Sequence, residues 1–263
     1  ISETKERGDN IPVPEAVLHG CCAINPTPRA GMKVMKEYFY ETHMHTAEAS
    51  ACATGTAAEM VQAYARLGYS GIIVTDHFFN GNSAIPRQLP WNKRVELFCR
   101  GYENALEEGR KTGLHVFFGW EYNLGGTEFL TYGLDKEFLL EYPDMLDWPP
   151  EKYAEKVHEH GGFIVHAHPF REAFYIPEIR LFPDLVDGVE VINASHKNPE
   201  FNEKARKYAE KYGLLQFSGS DAHHTDRIFG GGMAFDREIN TIFDFIEAVK
   251  SRKGYRLLPG CKL

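Results

Sequence analysis

The sequence lacks the features that mark a membrane protein, a repeat protein or a disulfide scaffold. No apolar run reaches the length of about eighteen residues that a spanning helix needs, and no solenoid repeat or low-complexity tract is present. The five cysteines contain no CxxC pair, which argues against a zinc ribbon or a thioredoxin motif and is typical of a reducing compartment. The first ten residues are polar and charged where a signal peptide would be apolar, so the sequence predicts a cytoplasmic protein.

Positive charge is also scarce, with 29 Lys and Arg residues against 37 Asp and Glu residues and a formal net charge of −8. Proteins that bind nucleic acid usually carry a broad basic surface, so this balance argues against nucleic acid as a partner and favours a small molecule. The length of 263 residues and the hydrophobic content of 43% are those of a soluble domain large enough to form a single α/β barrel. The sequence leaves the oligomeric state open.

The order of predicted elements indicates one α/β domain after an N-terminal extension. Residues 1–36 predict an extension, because four prolines interrupt any regular pattern there. Residues 37–263 predict one domain in which apolar strands alternate with helices, as in a sheet covered on both faces. The predicted strands lie at 37–43, 71–77, 115–122, 128–134, 163–169, 187–193 and 214–223. The predicted helices lie at 56–67, which begins with a capping box, at 93–111, 150–160 and 242–250, and at 202–211, which Asn202 caps.

Polar side chains end almost every predicted strand, and their distribution favours a barrel. A doubly wound sheet concentrates its site near one switch point. In an α/β barrel the chemistry lies at the carboxyl ends of all the strands. The sequence therefore predicts a TIM-like barrel whose mouth carries His43 and His45, Asp76 and His77, Glu121, His166 and His168, Glu190 and Asn193, and Asp221, His223 and His224.

Histidine pairs of the form HxH indicate a metal site where they fall on strands. Residues i and i+2 of a strand point to the same face, so both rings of His43 and His45 can reach one ion. The pair His158 and His160 falls on a predicted helix, where such residues diverge, and is not expected to bind metal. Imidazole and carboxylate together suit Zn²⁺, Mn²⁺ or Fe²⁺, and such ions would offset the burial of several charges at one barrel mouth.

Five short motifs resemble those of one family, the PHP domain of polymerases and histidinol phosphatases. They occur in family order over about residues 37–225, as THMHT at 42–46, VTDHF at 74–78, GWEY at 119–122, VHAHPFR at 165–171 and SGSDAHH at 218–224. The resemblance implies a distorted (β/α)7 barrel that binds two or three divalent metals and hydrolyses phosphoesters. Other members of the family serve replicative polymerases as exonuclease or vestigial domains.

Carried over position by position, the resemblance implies metal ligands at His43, His45, His77, Glu121, His168, Asp221 and His223, with Glu121 bridging two ions. The sequence departs from the family pattern at two places. Many members carry an acid or a histidine five or six residues after the HxH pair, where this chain has Ser50 and Ala51. Many also carry a histidine about ten residues after the bridging glutamate, where this chain has none.

These departures limit the number of ions that the sequence predicts. Two divalent metals are expected, of the zinc, manganese or iron type. A third ion is expected only if Glu48 or His196 supplies a ligand.

The predicted activity is hydrolysis of a phosphomonoester, a small metabolite phosphate such as histidinol phosphate, by a metal-bound hydroxide. A further group must protonate the leaving alkoxide, and His224, His196 and Asp76 are the candidates. Arg171 and Arg227 follow ligand-bearing strands and are predicted to grip the phosphate. Asn193 and His196 are predicted to contact the substrate.

Other classes of function remain open at this point. A phosphodiesterase or exonuclease on nucleotides or single strands would need a basic groove. An amidohydrolase acting on C–N bonds would usually need a carbamylated lysine or a clear aspartate base, and no predicted strand ends in a lysine. A binding module without activity would not need the near-complete ligand set.

Overall fold

The computed structural model of this protein describes residues 36–261. The predicted extension at 1–36 therefore lies outside the described residues except for its last position. The strands are β1 (Tyr38–Met44), β2 (Gly71–Val74), β3 (His115–Leu124), β4 (Thr127–Tyr132), β5 (Phe163–Ala167), β6 (Gly188–Asn193), β7 (Leu215–Gly219), β8 (Met233–Phe235) and β9 (Tyr255–Leu257). The α-helices are α1 (Ala57–Arg66), α2 (Trp91–Thr112), α3 (Lys136–Glu141), α4 (Pro150–Glu159), α5 (Pro199–Tyr212) and α6 (Ile242–Lys250), and a short 3-10 helix lies at Met145–Asp147.

The strands form one sheet that curls into a nearly closed barrel. Its order is β7-β6-β5-β4-β3-β2-β1-β8-β9. The curl brings β1 back beside β7, where a bridge joins Met44, the last residue of β1, to Ala222 just after β7. A hydrogen bond from the Thr42 hydroxyl to the Ser218 carbonyl, 2.7 Å long, lies in the same seam. The predicted α/β barrel is thus confirmed as the fold class.

The count of seven β/α units is not confirmed, because β4 runs antiparallel to both of its neighbours. The chain turns from β3 into β4 through Gly125 and Gly126, whose φ angles are +60° and +95°. A connection of two glycines forms a hairpin and is far too short for the crossover that a parallel strand needs. Two further short strands, β8 and β9, continue the sheet beyond β1 within residues 36–261.

Helix boundaries follow local capping chemistry. Helix α1 begins at the predicted capping box of Thr56 and Glu59. Helix α5 begins earlier than predicted, because Asn198 rather than Asn202 is its cap and Pro199 occupies the first turn. The side chain of Asn202 instead bonds the backbone of Asn193. Of the helices in residues 36–261, none combines the length and the apolar character needed to cross a bilayer.

A buried carboxylate joins the two strands at the barrel seam. Glu41 on β1 is fully buried, and its Oε1 accepts hydrogen bonds from the backbone N–H groups of Thr42, His43 and Ser220 at 2.8–3.0 Å. The hydroxyl of Tyr64 on α1 donates to its Oε2 at 3.0 Å. Burial raises the pKa of Glu41, against the effect of these donors. Glu41 therefore fixes the position of the seam on which the residues described below depend.

Replacing Glu41 tests this role. We expect Glu41→Ala to lower the free energy of unfolding by about 3 kcal/mol or more, because each buried donor left without a partner costs about 1–3 kcal/mol. The matched variant Tyr64→Phe removes one donor only and should cost about 1 kcal/mol. Urea unfolding of both variants measures the difference. Equal losses for the two would contradict the role of Glu41 in the seam.

Candidate metal centre

Histidine and carboxylate side chains that lie on or just after seven strands, β1 to β7, converge at one mouth of the barrel. Four overlapping triads have ligand atoms that all lie within 4.8 Å of one another. All of these side chains are buried except that of His223, which is partly exposed. The metal cluster, as we call it, consists of His43, His45, His77, Glu121, Glu128, His168, Glu190, Asp221 and His223. It contains all seven ligands that the family resemblance implies.

Glu121 on β3 lies at the centre of the metal cluster. Its Oε1 is 3.2 Å from His43 Nε2 and 3.1 Å from His168 Nε2. Its Oε2 is 2.7 Å from His77 Nδ1. One carboxylate thus faces histidines that follow or lie on three different strands, which is the placement that a ligand bridging two ions requires.

The outer nitrogens of three histidines are held by fixed acceptors or donors. His43 Nδ1 is 2.9 Å from Glu190 Oε1, His45 Nδ1 is 3.2 Å from Ser50 Oγ, and His223 Nδ1 is 2.9 Å from the Asp221 carbonyl oxygen. Each ring therefore has its Nε2 available to the interior of the cluster. Metal-ligating histidines are commonly oriented in this way by a carboxylate, a carbonyl or a hydroxyl group on the outer nitrogen.

The inner atoms of the cluster fit a divalent metal. His43 Nε2, His45 Nε2, His77 Nδ1 and Glu121 Oε2 are buried and make no hydrogen bond of regular geometry, although carboxylate oxygens lie 2.7–3.2 Å from the three nitrogens. Buried polar atoms are normally paired, because leaving one unpaired costs about 1–3 kcal/mol. Imidazole nitrogens and carboxylate oxygens pointing at a shared space are the donor set of Zn²⁺, Mn²⁺ and Fe²⁺ sites.

Burial and neighbouring charges together shift the pKa values of the histidines in the cluster. Burial disfavours a charge on His43, but the carboxylates of Glu190, Asp221 and Glu121 outweigh it and hold the pKa of His43 well above its usual value. Burial, together with His223 and His77, holds the pKa of His45 well below its usual value. Neighbouring rings of one cluster thus take opposite shifts.

The carboxylates of the cluster also differ from one another. Burial would raise the pKa of Glu121, but His43 and His77 outweigh it and hold the pKa well below its usual value. The pKa of Glu128 is raised by burial and by the nearby charge of Glu121. Such paired carboxylates are the acid groups that a divalent cation stabilises best, because the cation removes their mutual repulsion.

The backbone is strained where it delivers two members of the cluster. His168, just after β5, has φ of +27°, and Asp221, just after β7, has φ of +53°. Outside glycine this left-handed region is sparsely populated, and such residues concentrate at functional sites. Gly219 permits the close approach of β7, because a Cβ there would lie 2.6 Å from both Glu190 Oε1 and His43 Cβ.

Asp76 lies behind the metal cluster. Its carboxylate accepts hydrogen bonds from the Thr46 N–H, the Thr46 hydroxyl and the Ser50 hydroxyl at 2.6–2.7 Å. Burial raises its pKa to about 6, against these donors. It is 2% exposed, and Ser50 connects it to His45 Nδ1, while its part in proton transfer stays a prediction.

Arg171 lies at the edge of the cluster, where hydrogen bonds to neighbouring side chains fix its guanidinium. One Nη donates to Asp221 Oδ2, and its Nε donates to His196 Nε2 at 3.1 Å. His196 in turn has its Nδ1 2.9 Å from Asn202 Oδ1. Burial, Arg171 and His168 lower the pKa of His196 to about 4, so its ring is neutral and accepts from the guanidinium.

Two other predicted residues lie elsewhere than expected. Asn193 is fully buried, and its amide donates to Glu190 Oε2 at 3.0 Å, whereas its contact with substrate stays a prediction. Glu48 accepts hydrogen bonds from the N–H of Ala57 at the start of α1 and from Asn104. Its carboxylate is therefore engaged at a helix N-terminus and belongs to none of the four triads.

A cavity of about 810 Å³ opens beside the cluster. Asn80, Asn82, Asn123, Phe174 and Tyr175 form its outer lining, and Cys52, His77, Glu128, Arg171, Asp221 and His223 lie at its base. A second cavity of about 400 Å³ shares Cys52, Arg171, Asp221 and His223, and adds His196, Lys197, His224 and Arg227. The predicted residues His224 and Arg227 thus lie at this second cavity, where Thr54 Oγ1 is 2.6 Å from His224 Nδ1.

One wall of the larger cavity combines the β3–β4 hairpin with the loop after β5. A Cβ on Gly126 would lie 3.0 Å from Pro177 Cδ and 3.4 Å from the Tyr175 carbonyl. Arg180 from the same loop donates to the carbonyl oxygens of Leu124 and Gly125 at the hairpin tip. The hairpin tip and the loop are therefore packed and hydrogen-bonded as one wall.

The sequence has detectable relatives. A family model described as PHP-associated matches residues 199–253. An uncharacterized protein of Methanocaldococcus jannaschii is 40% identical over 76 residues, which cover 26% of this chain and 32% of the relative. The match thus spans about a third of that curated relative's length.

Solved structures share the fold at low sequence identity. A two-domain protein of Bacteroides vulgatus that contains a predicted PHP-like metal-dependent phosphoesterase superposes with a TM-score of 0.63 at 14% identity, over 98% of this chain and 70% of that one. The lesion-specific endonuclease Q of Pyrococcus furiosus superposes with a TM-score of 0.52 at 13% identity, over 84% of this chain and 58% of that one. The chain is therefore similar to PHP-associated sequences over residues 199–253 and shares its barrel fold with PHP-like proteins.

Proposed function

We propose that this protein is a metal-dependent phosphoesterase that hydrolyses a phosphomonoester of a small molecule. The observation that carries the proposal is the set of buried, unpartnered ligand atoms around Glu121, with the Arg171 guanidinium held at its edge. Proteins of the same fold that are described as metal-dependent phosphoesterases agree with it.

Two neighbouring groups of side chains would hold the ions. His43, His45 and Asp221 form one triad, and His77, Glu121 and Glu128 form another. Zinc, manganese or iron at these positions would supply an activated water and would polarise the phosphoryl oxygens. The side chains that would bind the ions are already oriented by hydrogen bonds to their outer nitrogens.

The surrounding residues bind and orient the phosphate. Arg171 presents a guanidinium beside Asp221, and the neutral ring of His196 fixes its plane, so a phosphoryl oxygen can accept from it. His224 lies on the second cavity, next to the ligand His223. We assign to His224 the delivery of a proton to the leaving alkoxide, because it faces a cavity beside His223, whereas Asp76 is buried and both ring nitrogens of His196 are engaged.

The larger cavity favours a small leaving group over a nucleic acid strand. Among its lining residues in the described chain, Arg171 is the one permanently charged cation. A groove for a strand would carry a row of cations along the backbone path. The amides of Asn80, Asn82 and Asn123 and the rings of Phe174 and Tyr175 instead suit a compact polar or aromatic group.

A phosphodiester substrate is the second candidate. The fold is shared with endonuclease Q, one of whose structures contains a 27-mer duplex with an abasic lesion at the active site. Lys197 and Arg227 on the second cavity would be the contacts of a further phosphate. The relative turnover of a monoester and a diester substrate separates this candidate from the first.

Metal content and substrate class test the proposal together. We expect the purified chain, reconstituted with zinc, manganese or iron, to hold at least two ions and to hydrolyse p-nitrophenyl phosphate faster than bis-p-nitrophenyl phosphate. Mass spectrometry of the metals and absorbance of p-nitrophenol measure both. The double variant His43→Ala/His45→Ala should lose metal and turnover. Faster diester turnover would favour the second candidate. Full metal content and activity in the double variant would contradict the proposed metal centre.

Replacing Arg171 tests phosphate binding. We expect Arg171→Met to reduce kcat/KM for the monoester by about 100-fold, the size of effect seen when one preorganised donor to a developing charge is removed. The control is Arg206→Met on α5, whose guanidinium bonds Gln216 and should leave kcat/KM unchanged. Steady-state kinetics at matched metal content gives the comparison. An unchanged kcat/KM in Arg171→Met would show that the phosphate is held elsewhere.

Removing the ions should lower stability, because a ligand that binds only the folded state stabilises it. One site at a hundredfold excess of ion over Kd contributes about 2.7 kcal/mol, or about 5–10 °C in Tm for a domain of this size. Differential scanning calorimetry with and without a chelator measures the shift. The double variant His43→Ala/His45→Ala should respond much less, and an equal Tm for the chelated and loaded protein would count against buried metal sites.

A further inference from the structure

The side chain of Asn202 joins the start of helix α5 to the end of β6. Its Oδ1 accepts a hydrogen bond from the Asn193 N–H at 3.1 Å, and its Nδ2 donates to the Asn193 carbonyl at 3.2 Å. A backbone N–H can only donate and a backbone carbonyl can only accept. This pair of bonds therefore fixes which side of the Asn202 amide carries the oxygen.

The ring of His196 lies between Asn202 and Arg171. Its Nδ1 is 2.9 Å from Asn202 Oδ1, and its Nε2 is 3.1 Å from Arg171 Nε. A guanidinium has N–H donors and no acceptor, so Nε2 must be the ring nitrogen without a proton. The oxygen of Asn202 can only accept, so it independently requires the proton on Nδ1. Both contacts thus select the same tautomer of a neutral ring.

The contacts of Arg171 determine which of its donors can meet a phosphate. Its Nε donates to His196 and one Nη donates to Asp221 Oδ2. The remaining N–H donors of the guanidinium all lie on the two Nη nitrogens. Arg171 lines both cavities beside the metal cluster, so these Nη donors are the ones that a phosphoryl group can use. Their direction depends on the acceptor that His196 offers to Nε.

We infer that Asn202 is a positioning residue for phosphate binding, which sets the tautomer of His196 and through that ring fixes the guanidinium of Arg171. The inference rests on the proposed function, in which Arg171 binds the phosphate. Without the acceptor at Asn202 Oδ1, the neutral ring can take the other tautomer, whose Nε2–H would face the Nε–H of Arg171. Two opposed donors cannot form a hydrogen bond, so the guanidinium would lose its fixed direction. The phosphate site thus extends to the first turn of α5, a helix that carries no member of the metal cluster.

Replacing Asn202 tests the inference through binding and turnover. We expect Asn202→Ala to lower both kcat/KM for the monoester and the affinity for inorganic phosphate by about 10-fold, the lower end of the range for partners that orient a functional side chain. Steady-state kinetics and isothermal titration calorimetry at matched metal content measure the two. In the Arg171→Met background the same replacement should have no further effect, because Asn202 acts through Arg171.

Nitrogen NMR of the histidine rings reports the tautomer directly. In the full chain with ¹⁵N-labelled histidine, the ring of His196, assigned by its absence in His196→Gln, should carry its proton on Nδ1. Asn202→Ala should lose this signature. The matched control is Asn198→Ala, which removes the cap of the same helix, where Asn198 accepts from the Glu200 N–H. This control should keep both the tautomer and kcat/KM, which separates a lost acceptor from a damaged helix.

Several outcomes would overturn the inference. They are an Asn202→Ala protein that keeps the Nδ1–H tautomer, equal losses of kcat/KM in Asn202→Ala and Asn198→Ala, and a loss that simply adds to that of Arg171→Met. Phosphoester turnover that Asn202→Ala leaves unchanged removes the inference alone. A wild-type protein that shows the tautomer and binds inorganic phosphate through Arg171, yet hydrolyses no phosphoester, removes the proposed function alone.

Discussion

The carboxylate of Glu121 is the group on which the rest of the site depends. It is buried, so its charge must be compensated locally, and the compensation comes from His43, His77 and His168 on three parts of the sheet. The strands can supply these rings only if the barrel closes as it does. The seam at Glu41 and the close approach of β7 at Gly219 are therefore both needed to bring these histidines around the Glu121 carboxylate, although both lie away from it.

The sequence was sufficient to predict the elements of the site that repeat a simple pattern. Buried strands that end in His, Asp or Glu predict side chains gathered at one barrel mouth, and the structure brings His43, His45, His77, Glu121, His168, Asp221 and His223 together there. The barrel class and the start of α1 followed in the same way, because strand ends and capping boxes are local signals.

The parts that could not be predicted depend on strand direction and on the surroundings of single side chains. Glu128 lies at the start of β4. In a parallel strand this position would lie at the end of the barrel opposite the site. Because β4 is antiparallel, its first residues reach the mouth where the other strands end. The roles of Asn193 and Glu48 likewise depend on which neighbours occupy their hydrogen bonds, and no spacing rule encodes that.

The wall made by the β3–β4 hairpin and the loop after β5 sets how the larger cavity can admit a ligand. The guanidinium of Arg180 binds two carbonyl oxygens at the hairpin tip, and Gly126 leaves no room between the hairpin and Pro177. Widening the mouth on this side therefore requires both segments to move together or the Arg180 contacts to break. Since Glu128 lies on the same hairpin, such a movement would also displace a carboxylate from the metal cluster. The width of the larger cavity and the position of the Glu128 carboxylate are in this way linked through a single turn of two glycines.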